Sequence, residues 1–161
     1  MKRENYISWD NYFMAVALLA AKRSKDPATQ VGACIVNADN RIVSVGYNGF
    51  PKNCSDDEFP WDKVGGFIDT KYAYVCHAEL NCILNSALPI KGCKMFVTLF
   101  PCNECAKAII QSGITEVIYL DDKNIQKEAS LAALKMFKSS GVVVKKFHAD
   151  MDEIIIKFKK D

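Results

Sequence analysis

The sequence predicts a layered α/β domain, and three observations predict it. β-rich runs alternate with helical patterns through the second half of the chain. A hairpin pattern precedes them. Half of the residues are hydrophobic, enough to build a core within 161 residues. Strands separated by helices pair in parallel through crossovers, so the later strands are expected to be parallel. The length suits one domain, taken as 1–161, and is too short for two ordinary ones.

The first element is a helix over 9–23. Tyr12, Phe13, Val16, Leu19 and Ala20 recur at helical spacing, Ser8 caps the start, and Asp26-Pro27 ends it because a residue before proline is pushed out of the helical region. The runs 31–37 and 41–48 flank a short polar turn and form a hairpin. Residues 49–74 carry two prolines, Gly65-Gly66, the acidic trio Asp56-Asp57-Glu58 and Trp61, without periodicity; a loop this long inside a domain is expected to be functional. A helix over 77–87, a strand over 95–100 and a helix over 102–112 stopped by Gly113 follow. After them come a strand over 116–120, a helix over 126–139 stopped at Gly141, and a strand over 142–148. Residues 152–158 read as a strand or short helix, and 157–161 as a solvated basic tail. Tyr12, Phe13, Phe96 and Phe100 fall at core positions, and His148 ends a strand at the surface.

Composition excludes several classes of function. A net charge of +2 lacks the strong, clustered basicity of a nucleic-acid binder. No apolar run reaches the ~20 residues that span a bilayer, and the first residues lack the apolar core of a signal peptide. Seven cysteines, an odd number at irregular spacings, point to a reduced, cytoplasmic protein in which paired cysteines bind metal before they form disulfides.

Two short stretches carry chemistry. His77-Ala78-Glu79 lies where one helix begins, and Pro101-Cys102-Asn103-Glu104-Cys105 where the next begins. Parallel βα units set such helix starts side by side, and a spacing of three puts both thiols on one helical face. The positive helix end favours thiolates. One imidazole and two thiolates make a neutral set for Zn²⁺ and leave the fourth tetrahedral position to water. Glu79 is placed to take a proton from that water. A closed structural zinc would need a fourth ligand, with Cys76 and Cys82 nearby in sequence, but it would not need Glu79. A redox CxxC would not need His77. The pairing of H-x-E with P-C-x-x-C is the signature of zinc nucleobase deaminases.

The resemblance extends well beyond the motif. The stretch from Ser8 to Val36, GYNGFP at 46–51, YVCHAELNCILN at 74–85 and LFPCNECAKAIIQSGITEVIYL at 99–120 are similar to the deoxycytidylate (dCMP) deaminase family over roughly 8–146. Free-nucleoside cytidine deaminases usually carry cysteine in place of this histidine. tRNA adenosine deaminases share His-Ala-Glu but normally lack the RSKDP segment and the 49–74 insertion, so another deaminase of that branch is the alternative. An RNA- or DNA-editing deaminase, and a zinc module that has lost its chemistry, are the further alternatives; the intact Glu79 argues against the last.

The resemblance implies a three-layer α/β/α cytidine-deaminase-like fold with a five-stranded mixed sheet. It implies hydrolysis of dCMP to dUMP and ammonia, supplying dUMP for thymidylate synthesis. Zn²⁺, one per subunit, would be held by His77, Cys102 and Cys105, with Glu79 as proton carrier. The Ala78 N–H would meet the pyrimidine edge, the Phe100 carbonyl the departing ammonia, Asn48 the nucleotide, and Arg23 and Ser24 its phosphate. Activation by dCTP and inhibition by dTTP would act through Gly46, Asn48 and Gly49 at subunit contacts of a hexamer, with Mg²⁺ accompanying the effector. Asn81 and Asn85 are expected in helix packing or subunit contacts. With only Cys54 in the long loop, no second zinc is expected.

Overall fold

A computed structural model describes residues 1–159. Helix α1 spans Trp9–Ala21, and the Ser8 hydroxyl accepts the Asn11 N–H as its N-cap. It ends two residues before the expected position. The N–H groups of Lys22, Arg23 and Ser24 turn back onto the carbonyls of Leu19, Ala20 and Ala21, so a tight last turn stops the helix well ahead of Pro27. Strands β1 (Gly32–Val36) and β2 (Ile42–Tyr47) form the hairpin, closed by Asn37, whose side chain accepts the N–H groups of Asp39 and Arg41.

The remaining elements are α2 (Ala78–Leu84), β3 (Lys94–Leu99), α3 (Asn103–Gln111), β4 (Glu116–Asp121), α4 (Glu128–Ser140) and β5 (Val143–Lys146). Gly141 ends α4 in the left-handed conformation, φ 77°, as a C-terminal glycine does. The strands form one mixed sheet in the order β2-β1-β3-β4-β5, antiparallel from β2 to β3 and parallel from β3 to β5. This is the three-layer α/β/α arrangement expected.

Both faces of the sheet are covered, which is why its strands read as nearly continuous apolar runs. Ala33, Ile35, Met95, Val97 and Val117 face α2, α3 and α4, where Ala78, Cys82, Ala106, Ile109, Ala133 and Phe137 complete the larger core. The alternate residues Cys34, Val36, Phe96 and Ile118 face Phe13, Met14 and Ala17 of α1. Tyr12 departs from expectation: its ring sits on the outer side of α1 beside Trp9 and is exposed, while Phe13 takes the core position.

Residues 152–158 form neither strand nor helix. Ile155 and Ile156 remain exposed, and the segment adds nothing to the edge of β5. Part of the basic tail, residues 160–161, lies outside the described residues. The 49–74 loop contains two single-turn 3₁₀ helices, Phe67–Asp69 and Lys71–Ala73. It packs around its own aromatic group, in which Phe50 lies 4.1 Å from Trp61 and 5.6 Å from Phe59, centre to centre. Among the described residues no helix is long and apolar enough to cross a membrane.

Candidate active site

The parallel pairing of β3 with β4 and the position of α2 against β1 and β2 bring two helix starts together. His77 is the N-cap of α2 and Cys102 the N-cap of α3. N-cap side chains normally accept a backbone N–H of their own helix, but neither of these does. Both extended residues point their side chains at each other instead. His77 Nδ1 lies 3.4 Å from Cys102 Sγ and 3.4 Å from Cys105 Sγ.

The three ligand atoms lie within 4.8 Å of one another, and among the described residues no other His, Cys, Asp and Glu group is set to hold a metal. A tetrahedral zinc with bonds of ~2.3 Å to sulfur and ~2.0 Å to nitrogen would separate the two atoms by about 3.5 Å, so the geometry and the donor set both fit the ion. His148 stands apart and exposed.

The protons of this cluster are strongly redistributed. Hydrogen bonding from Cys105, assisted by His77, lowers the Cys102 thiol to about 4. The Cys102 hydrogen bond raises His77 to about 9 against the effect of burial. Cys105 is pushed far up by sharing its proton with Cys102 and by burial. One thiolate facing an imidazolium is a charge arrangement that a divalent cation can replace with release of protons.

Glu79, the second residue of α2, is 4 % exposed and close to Cys105. Burial raises its pKa, while His77 and its own backbone N–H act the other way. A buried carboxyl whose pKa is raised, next to three metal-ligating side chains, suits proton transfer in both directions. The other interior thiols are inert by contrast: burial raises Cys34 and Cys82 to about 12.

His77, Glu79 and Cys102 line a cavity of about 550 Å³, within the usual range for small-molecule sites. Ala78 and Phe100 line it, as does Asn48. The Ala78 N–H is in the first turn of α2, where backbone donors lack intrahelical partners. The Phe100 N–H is taken by the Asp121 carbonyl, and its ring stands edge-on to Tyr119 at 4.9 Å.

Asn48 is not a turn residue. Its Oδ1 accepts the Val31 N–H at 2.8 Å, and its Nδ2 donates to the Thr29 carbonyl at 2.9 Å and to Asp26 at 3.3 Å. Gly46 has a packing reason: a Cβ there would lie 2.4 Å from Cys82 N and 2.6 Å from the Ala78 carbonyl, inside the backbone of α2. Gly49 pairs with Cys76 in an isolated bridge and has open space around it. Asn81 donates to the Tyr47 carbonyl, tying α2 to the end of β2.

Arg23 and Ser24 are not brought to the cavity. With α1 ending at Ala21, Arg23 is exposed, and the Ser24 hydroxyl accepts the Asp26 N–H at 3.3 Å. The cations that do line the cavity are Lys63, Lys71, Lys123 and Lys127, with Asp26 and Ser130 beside them. The sequence reading passed over all six. Lys63 and Lys71 lie in the aperiodic loop, and Asp26 was read only as a helix stop.

A family model described as the cytidine and deoxycytidylate deaminase zinc-binding region matches residues 7–121. The chain belongs to the cytidine and deoxycytidylate deaminase family. The deoxycytidylate deaminase of Mus musculus is 56% identical over 159 residues, covering 98% of this chain and 89% of that protein. The Homo sapiens deoxycytidylate deaminase is 55% identical over the same length, with the same coverage. Among solved structures, the dCMP deaminase of cyanophage S-TIM5 in complex with dCMP and dUMP matches with a TM-score of 0.67 at 26% identity, over 85% of this chain and 95% of that one. The matched region, residues 7–121, contains His77, Glu79, Cys102 and Cys105, and the fold expected from the resemblance is the fold observed.

Proposed function

We propose that this chain hydrolyses dCMP to dUMP and ammonia at the cavity lined by His77, Glu79 and Cys102, with Cys105 buried behind it. The observation that carries the reading is the convergence of three metal-ligand atoms within 4.8 Å beside a buried glutamate. The high identity to deoxycytidylate deaminases over nearly the whole chain supports the substrate.

His77, Cys102 and Cys105 would hold one zinc per chain. Bound there, zinc supplies Lewis acidity that brings the pKa of a water down to ~7. Glu79 takes a proton from the attacking water and delivers it to the ring nitrogen beside the amino-bearing carbon. It then passes the second proton to the amine, so one water is consumed and one ammonia leaves. The Ala78 N–H orients the pyrimidine edge and the Phe100 carbonyl receives the ammonia. Asn48 shapes the wall against which the nucleotide lies.

Lys63, Lys123 and Lys127 are exposed and line the cavity, and they are better placed than Arg23 and Ser24 to meet a 5′-phosphate as point charges. Activation by dCTP with Mg²⁺ and inhibition by dTTP through the Gly46–Gly49 segment of a hexamer belong to the same reading, as does a cytoplasmic role in supplying dUMP.

Ammonia release from dCMP, deoxycytidine, CMP and single-stranded DNA, with and without dCTP or dTTP, tests the proposal. Turnover of dCMP above the others, raised by dCTP, is expected. Preferred turnover of deoxycytidine or DNA would overturn the nucleotide assignment while leaving the zinc chemistry in place.

A further inference from the structure

The 49–74 loop inverts the usual order of burial where it reaches the cavity. Phe67 is 73 % exposed and Ile68 69 %, whereas Lys71, three residues on, is 6 % exposed. A lysine is among the last residues to be buried in place of neighbouring apolar ones, so its position calls for a specific partner. That partner is Asp26, 45 residues away, which pairs with Lys71 in the interior. The neighbouring residue, Lys25, makes the reverse pair with Asp56 of the same loop, but on the surface, where such pairs contribute little.

Asp26 is the hub of the cavity wall. One carboxylate oxygen accepts the N–H groups of Ala28 and Thr29 at 2.8 and 3.2 Å. The other accepts from Lys71 and from the Asn48 amide, which in turn holds the Thr29 carbonyl and the Val31 N–H. Asp26, Thr29, Val31, Asn48 and Lys71 all line the cavity that contains Glu79. A buried ion pair is weak evidence for stability in itself, but removing one partner strands the other. Here the stranded group would be the one that sets the backbone of 26–31 and the rotamer of Asn48.

We propose that Lys71 is a positioning residue of this site: by pairing with Asp26 it seats the 49–74 loop and holds the 26–31 wall and Asn48 in the shape that receives the nucleotide. This rests on the deaminase reading for its catalytic consequence, but not for its structural one. Lys71 then acts through Asp26 rather than on the phosphate, which separates it from Lys63, Lys123 and Lys127.

The test compares Lys71→Met, Lys71→Arg and the surface control Lys25→Met in the zinc-loaded protein. Zinc content, kcat and KM on dCMP and on deoxycytidine, and backbone hydrogen exchange are measured for each. Lys71→Met is expected to keep its zinc, lose tenfold or more in kcat/KM on both substrates alike, and exchange faster over 26–31 and 49–74. Lys71→Arg should recover most of both properties, and Lys25→Met should stay within twofold of the parent. A loss confined to dCMP would overturn the proposal in favour of direct phosphate contact, and unchanged kinetics and exchange would overturn it outright. Should Lys71→Met not fold, the native protein decides: the amides of 26–31 and 71–75 should open together with one common protection, and separate protection contradicts the coupling. That last readout holds even if dCMP proves not to be the substrate.

Discussion

Glu79 and Asp26 are both buried carboxyls, and their surroundings push them in opposite directions. Burial raises Glu79, whose oxygens face a cluster that needs a proton carrier. Burial also acts to raise Asp26, but the Lys71 hydrogen bond and the Ala28 and Thr29 N–H groups outweigh it and leave the carboxyl below its ordinary value. A depressed carboxylate contributes stability that is present above its unfolded pKa and lost as pH falls through the folded one. Hydrogen-exchange protection of 26–31 should therefore be steady down to the ordinary aspartate value of 3.8 and fail only below it. Protection that fades already between about pH 7 and 6, around the ordinary histidine pKa of ~6.5, would place its control elsewhere. Asn48→Ala leaves the buried Val31 N–H and Thr29 carbonyl without partners, which costs about 1–3 kcal/mol in denaturant unfolding and should also raise KM. The juxtaposition of His77 with Cys102 and Cys105 was legible in the sequence, as was the place of Glu79, because each pair is set by a spacing of two or three at a helix start. The Asp26–Lys71 pair was not, because it joins residues 45 apart through a loop with no period. Arg23 and Ser24 rested on the resemblance alone, and in the structure Arg23 is exposed just beyond the end of α1 at Ala21.

At the scale of elements, α2 and α3 give up side-chain capping so that their first residues can face each other. An ion held by His77, Cys102 and Cys105 would anchor these helix starts from outside. Removing zinc with a chelator should raise exchange over 77–81 and 102–106 and lower the melting midpoint, while the amides of β1, β3 and β4 keep their protection. Equal loosening of the sheet would mean that the metal holds the fold rather than the site. The approach of α2 to the sheet depends on Gly46, where even a methyl group meets backbone atoms at 2.4 and 2.6 Å. Gly46→Ala should cost about 1–3 kcal/mol or more in unfolding free energy, because helix backbone cannot swing aside like a side-chain tip. By moving α2 it should also weaken zinc retention, measured by competition with a chromogenic chelator. Strands and helices with a clear period were legible to within a few residues. α2 ends three residues before the expected 87, because Asn85 already caps the helix with its N–H on the Asn81 and Ile83 carbonyls. Residues 152–158 failed as an element because apolar composition alone does not supply a partner, and Ile155 and Ile156 stay exposed.

For the whole molecule, a mixed sheet with helices on both faces brings the ends of β3 and β4 and the start of α2 to one cavity. The two cores divide by residue parity along β1 and β3, which is why a single strand pattern could foretell both layers. The long loop supplies what the sheet does not, a wall carrying Lys71 and a rim carrying Lys63. In the proposed function His77, Cys102, Cys105 and Glu79 work as one catalytic unit. The most direct test of this is ammonia release from dCMP by the zinc-loaded chain and by Glu79→Gln, with zinc content measured on both. One zinc per chain in each protein, turnover by the parent, and a loss of about 10²–10⁴-fold in kcat for the variant are the expected results, as when a general acid–base group is removed. A Glu79→Gln protein that keeps its zinc and turns over dCMP at the parent rate would contradict it.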